Sequence, residues 1–149
     1  MADGSGPLVG LLLRLAAQQW GADMDAALRA AGVEGITPAH ANVIPFVPPE
    51  GIQIGRLAQL AKVRKQTMAQ SVEQLVASGY VARGPDPRDG RASLIFLTDL
   101  GRALGPASRS AGARVERDWA AVVGRDEIEH LRRTLTRLLQ FGSPDDDDP

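Results

Sequence analysis

Between Ile52 and Thr98 the hydrophobic period switches from helical to strand-like across one glycine, and this switch constrains the region more than any other feature. Ile54, Leu57, Ala58 and Ala61 form one face of a short helix, followed by a break around Lys62-Val63. A second helix is predicted from about Lys65 to Ser78, with Met68, Val72, Leu75 and Val76 as its inward stripe. Gly79 ends it, because glycine enters the left-handed conformation at little cost. Tyr80–Arg83 and Ser93–Leu97 are strand candidates on either side of the turn-rich stretch Gly84-Pro85-Asp86-Pro87-Arg88-Asp89-Gly90-Arg91. Together they predict a hairpin with a cationic tip.

The flanks read as helices. Leu8, Leu11, Leu12 and Leu15 recur at helical spacing from Pro7 to Trp20, and the pattern extends through Met24, Ala27, Leu28 and Ala31, with Gly21 a candidate kink and Gly32 a stop. Thr37-Pro38 opens a helix containing Val43, Ile44 and Val47, which Pro45 should shorten or bend. Thr98 can cap a helix reaching Val123, with irregularity expected at Gly105-Pro106 and Gly112. Gly124 ends that helix, and Asp126 with Glu129 offers an acidic capping box for the next. In this last helix Ile128, Leu131, Leu135, Leu138 and Leu139 make a two-heptad seam that calls for a partner helix. Residues 142–149, with four consecutive aspartates, are expected to be a disordered acidic tail.

Charge is divided unevenly along the 149 residues. Residues 52–98 carry seven cations against three anions, whereas the rest carries ten cations against fifteen anions. A basic middle in an acidic chain fits a segment that meets phosphate. Helix, tight turn, helix and hairpin is the order of a winged helix-turn-helix lobe, whose second helix enters the major groove. Opposite its apolar stripe, that helix presents Lys65, Gln66, Ala69, Gln70 and Glu73 on one side. Glutamine can bond an adenine edge with both amide atoms, and lysine can reach guanine or phosphate. Arg88 and Arg91 in the hairpin are placed for the backbone or the minor groove.

These residues are similar to the MarR family of bacterial winged-helix regulators. The resemblance rests on Leu57-Ala58, Lys65-Gln66-Thr67, Leu75-Val76-Ala77-Ser78-Gly79-Tyr80-Val81, Asp86-Pro87-Arg88-Asp89-Gly90-Arg91-Ala92 and Leu97-Thr98-Asp99-Leu100-Gly101. It implies a mainly α fold with a small two- or three-stranded β-wing: a lobe at 48–98 and a helical dimerisation region at 1–47 and 99–141. It further implies a homodimer reading a pseudo-palindromic operator, with DNA contacts at Arg64, Lys65, Gln66, Thr67, Gln70, Arg88 and Arg91. Two departures stand out: Lys62 replaces the glycine often found in the turn, and Arg64 replaces a serine or threonine cap. Arginine has no acceptor and cannot cap a helix.

The seam at Ile128, Leu131, Leu135 and Leu138 is expected to pair across a twofold axis with Leu8, Leu11 and Leu15 of the other chain. The family often holds a small molecule where lobe meets dimer region, and Leu12, Ala16, Trp20, His40 and Ile44 are the residues predicted to line such a site for a small aromatic effector. For His40 the plainer expectation is a surface or interface histidine; for Trp20 and Trp119 it is core packing. His130 is expected to be solvated, and Asp145–Asp148 to serve solubility rather than autoinhibition.

An enzyme is not expected, nor a cofactor or metal. There is no cysteine, His40 and His130 are the only histidines, and no phosphate-loop glycine pattern occurs. The absence of a basic segment before the apolar run Leu8–Leu13 argues against a signal peptide, and that run is too short to span a bilayer. The expected address is cytoplasmic, with no membrane partner. The function predicted is a dimeric DNA-binding transcriptional regulator acting as a repressor; the alternative is a winged-helix module that binds protein instead of DNA.

Overall fold

The computed structural model describes residues 6–140, so the tail at 142–149 lies outside the described residues. The elements are α1 (Val9–Ala30), α2 (Pro38–Val43), a 3-10 turn (Ile44–Phe46), α3 (Ile54–Ala61), α4 (Lys65–Ala77), β1 (Val81–Asp86), β2 (Asp89–Leu97), α5 (Asp99–Val123) and α6 (Arg125–Leu139). This is a mainly helical chain with a two-stranded wing.

Two apolar clusters organise it. The first joins Ala39, Val43, Ile44 and Val47 to Leu57 and Ala58 of α3, Met68, Val72 and Leu75 of α4, Val81 and Ile95 of the hairpin, and Leu104 of α5. Burying each large side chain contributes about 1.5–3 kcal/mol, so this stripe sets how α4 lies on α3. The second cluster joins Ala27 and Leu28 of α1 to Ala111 and Val115 of α5, with Trp20, Met24 and Trp119 packed against it. Val33 and Ile36, between α1 and α2, touch both clusters. Thus α2, which the sequence groups with the helical flank, shares its core with α3 and α4.

Local chemistry explains where the elements depart from expectation. Gly21 introduces no break in α1, and Gly32 follows it at φ 83°. Pro45 stops α2 at Val43 and tightens the chain into the 3-10 turn, so Val47 lies beyond the helix in extended backbone. Gly84-Pro85-Asp86, read as turn, instead extends β1 and pairs with Leu94, Ser93 and Asp89, with a register shift between Pro85 and Asp86. A strand with a free edge tolerates proline. The turn is then reduced to Pro87-Arg88. A third strand is present only as one bridge, in which Ile52 and Ile95 exchange backbone hydrogen bonds of 3.0 and 2.8 Å.

Thr98 caps α5: its hydroxyl accepts the Gly101 N–H at 3.2 Å and donates to the Gly79 carbonyl at 2.5 Å. A Cβ on Gly101 would collide with the Tyr80 carbonyl oxygen, which explains the Thr-x-x-Gly spacing. Helix α5 continues through Gly105-Pro106 and Gly112 without a break. At α6 the cap is Gly124, at φ 104°, and makes no side-chain bond. Asp126 lies inside the first turn beside Glu127, so the expected Asp126–Glu129 box does not form; the two carboxylates face the positive end of the helix dipole instead.

Candidate nucleic-acid interface

Helix α4 has two distinct faces. Met68, Ser71, Val72 and Leu75 are buried, whereas Lys65, Gln66, Thr67, Gln70 and Glu73 are exposed and Ala69 is half-buried. Arg64 stands at the N-cap with φ −66° and ψ 145° and makes no capping bond through its side chain. Lys62 closes α3 in the left-handed region at φ 55° and ψ 40°. For a residue with a Cβ this costs roughly 1–2 kcal/mol. Glu73, the one anion of α4, is ion-paired with Arg83 of β1. Both partners are well exposed, so the pair adds little stability, yet it offsets the negative charge on that face. Among the described residues, Lys62, Arg64, Lys65, Arg88 and Arg91 form no ion pair.

In the wing, Asp86 is buried between exposed neighbours. Its carboxylate accepts the Gln53 side-chain amide at 2.8 Å and the Arg88 backbone N–H at 2.9 Å. The Gln53 bond first, and the Arg88 N–H next, hold this carboxyl below its usual pKa. Asp89 accepts the Arg91 N–H at 3.1 Å, shaping the return of the turn. Arg88 and Arg91 remain exposed.

The sequence pattern did not show that Gln53 pairs with Asp86 or that Arg83 pairs with Glu73. The available signal was Gln53 at a helix start, where serine, threonine, aspartate or asparagine is preferred.

The residues predicted to line an effector site divide into two places. Leu12, Ala16 and Trp20 line a cleft of about 600 Å³ with Trp119, Ile128, Leu131 and Leu135. Trp20 and Trp119 meet edge-to-face at 5.5 Å, and the Trp119 indole donates to Asp23 at 2.8 Å. At the rim, Arg132 bonds Glu116 at 2.6 and 3.2 Å and Glu129 at 3.1 Å. His40 and Ile44 instead lie in the lobe core. His40 Nδ1 accepts the Thr37 N–H at 3.0 Å, completing a capping contact for α2, and its ring meets Tyr80 edge-on at 4.6 Å. Burial lowers its pKa below the ordinary 6.5, and among the described residues its buried Nε2 has no hydrogen-bond partner. His130 is exposed.

Of the residues expected at a dimer interface, Leu8, Leu11, Leu15, Leu131 and Leu138 are exposed in the chain. Ile128 and Leu135 are half-buried in the cleft. No residue of α6 is fully buried.

A helix-turn-helix whose second helix keeps a polar outer face, followed directly by a basic hairpin, is a winged helix-turn-helix lobe. Residues 34–92 match the sequence profile of the MarR family. Over this segment the chain is similar to MarR-family regulators.

An uncharacterized HTH-type transcriptional regulator of Mycobacterium bovis is 32% identical over 85 residues, covering 57% of this chain and 59% of that protein. The chain thus spans about six tenths of the length of the curated relatives it first matches. A probable transcriptional regulator from Pseudomonas aeruginosa superposes with a TM-score of 0.74 at 29% identity, over 88% of this chain and 96% of that one. The transcriptional repressor CouR bound to a 23-mer DNA duplex shares the fold, with a TM-score of 0.75 at 24% identity over 89% of this chain and 92% of that one. CouR from Rhodococcus jostii RHA1 has also been solved with p-coumaroyl-CoA, with a TM-score of 0.69 at 21% identity over 91% and 93% of the two chains. Among the described residues no helix is long and apolar enough to cross a membrane.

Proposed function

We propose that the chain is a homodimeric, sequence-specific DNA-binding transcriptional regulator that acts in the cytoplasm as a repressor and is released by a small aromatic effector. One observation carries the DNA reading. The single anion of α4 is paired with Arg83, while among the described residues Lys62, Arg64, Lys65, Arg88 and Arg91 enter no salt bridge. Such a surface suits phosphate, and a wing specialised for a protein partner would have no need of it. Arg64, Lys65, Gln66, Thr67 and Gln70 then meet the major groove, and Arg88 and Arg91 the flanking backbone or minor groove.

The dimer is supported by the exposed apolar rows of α1 and α6, which one chain leaves uncovered. We assign 48–98 to DNA and the flanking helices to assembly, with α2 joining the two. The effector reading is supported by the apolar cleft holding Leu12, Ala16 and Trp20, which suits an aromatic ligand; CouR with p-coumaroyl-CoA is the parallel among proteins of this fold. An effector acts only if it binds the DNA-competent and incompetent arrangements unequally.

Selection of duplexes from a random pool, followed by footprinting, tests the proposal. It predicts two inverted half-sites about 10 base pairs apart. No enriched sequence and no protected palindrome would overturn it. Calorimetry with phenolic and carboxylate aromatics tests the effector: no heat, with unchanged operator affinity, would leave a constitutive regulator.

A further inference from the structure

A two-stranded hairpin is marginal on its own. Here the stem is secured by Val81 and Ile95 in the lobe core, but Pro87 to Arg91 at the tip are all exposed. The described residue that ties the tip back is Asp86. One of its carboxylate oxygens accepts the Arg88 backbone N–H and the other accepts the Gln53 amide, so a single side chain joins the turn to the start of α3.

Gln53 is itself well anchored. Its neighbour Ile52 exchanges two backbone bonds with Ile95, and its own carbonyl accepts the Leu57 N–H at 3.0 Å. Gln53 occupies the N-cap of α3 yet makes no capping bond with its side chain. The preferred caps are poorer tethers: aspartate would repel Asp86, serine or threonine lacks the reach, and asparagine carries the amide donor on a stem one carbon shorter. Glutamine supplies a donor at the end of a longer stem. Because α3 and α4 share one core, the bonds run from the Arg88 backbone through Asp86 and Gln53 to α3, and so to α4.

We infer that Gln53 is a positioning residue for Arg88, holding the wing tip at a fixed spacing from α4 so that both engage one duplex without prior ordering. This rests on the DNA-binding reading. Organisation before binding lowers the cost of ordering a tip at the interface.

Two arms test it, using Gln53→Met, which keeps length but loses the donor, and Gln53→Glu, which places a carboxylate against Asp86. In the free protein, amide exchange should rise about fivefold at Arg88 with α4 amides unchanged, the size expected for one lost hydrogen bond. In a double-mutant cycle on the selected operator, each Gln53 variant should weaken binding about three- to tenfold in an Arg88 background and have no further effect with Arg88→Ala, while remaining additive with Lys65→Ala. Unchanged Arg88 exchange overturns the tether. Full additivity with Arg88→Ala overturns its role in positioning. Wild-type protein that fails to bind duplex overturns the DNA reading itself, and the exchange arm shows separately whether the tether exists.

Discussion

Lys62 and Arg64 occupy positions where backbone preference and charge pull in opposite directions. Lys62 is held left-handed and Arg64 leaves the first turn of α4 uncapped by its side chain. Lys62→Gly and Arg64→Ser should each raise unfolding stability by about 1 kcal/mol in denaturant titration, and each should lower affinity for duplex. Stabilisation without loss of affinity would remove these cations from the interface. His40 makes a second prediction. Its folded pKa lies below the ordinary 6.5, so the unfolded chain binds the extra proton more readily. Its contribution to stability is therefore full above about pH 6.5 and is lost as pH falls through the lower folded value. Thermal melting between pH 7.5 and pH 5 should show this decline, and His40→Gln should flatten it.

Among the elements, α5 carries an interior proline, Pro106, which removes the N–H that would bond the Arg102 carbonyl. Pro106→Ala should raise stability by up to about 3 kcal/mol in denaturant titration, and no gain would show that the helix has already adapted around the ring. The lengths of α3 and α4 were legible because Met68, Val72 and Leu75 hold a strict helical period and the break at Lys62 falls between two such runs. The wing was legible in kind but not in extent. Gly84 and Pro85 carry turn chemistry, and only pairing with Leu94 and Ser93 makes them strand. The Asp126 cap failed because Gly124 at positive φ starts α6 earlier than its acidic residues suggest. His40 was misplaced for a different reason: periodicity over the short α2 does not fix which helix it meets, and Tyr80 lies 40 residues away. Gln53 and Asp86 were invisible because their bond joins residues 33 apart.

In the whole molecule, the lobe core is closed within one chain, while Leu8 at the start of α1, Leu11 and Leu15 within it, and Leu138 of α6 are exposed. Leu135→Asp, which would place an unpaired carboxylate in an apolar interface, should give monomer or aggregate by sedimentation and weaken operator binding; an intact dimer would contradict the assignment. On the DNA-binding reading, α4 and the wing act as one cationic surface that engages the duplex. Its most direct test is the salt dependence of duplex affinity for the wild type beside Arg88→Ala and Arg91→Ala. For the wild type, log K should fall steeply and linearly with log salt, and each substitution that removes a phosphate contact should reduce the slope by about 0.9. Binding indifferent to salt, or slopes unchanged by both substitutions, would contradict it.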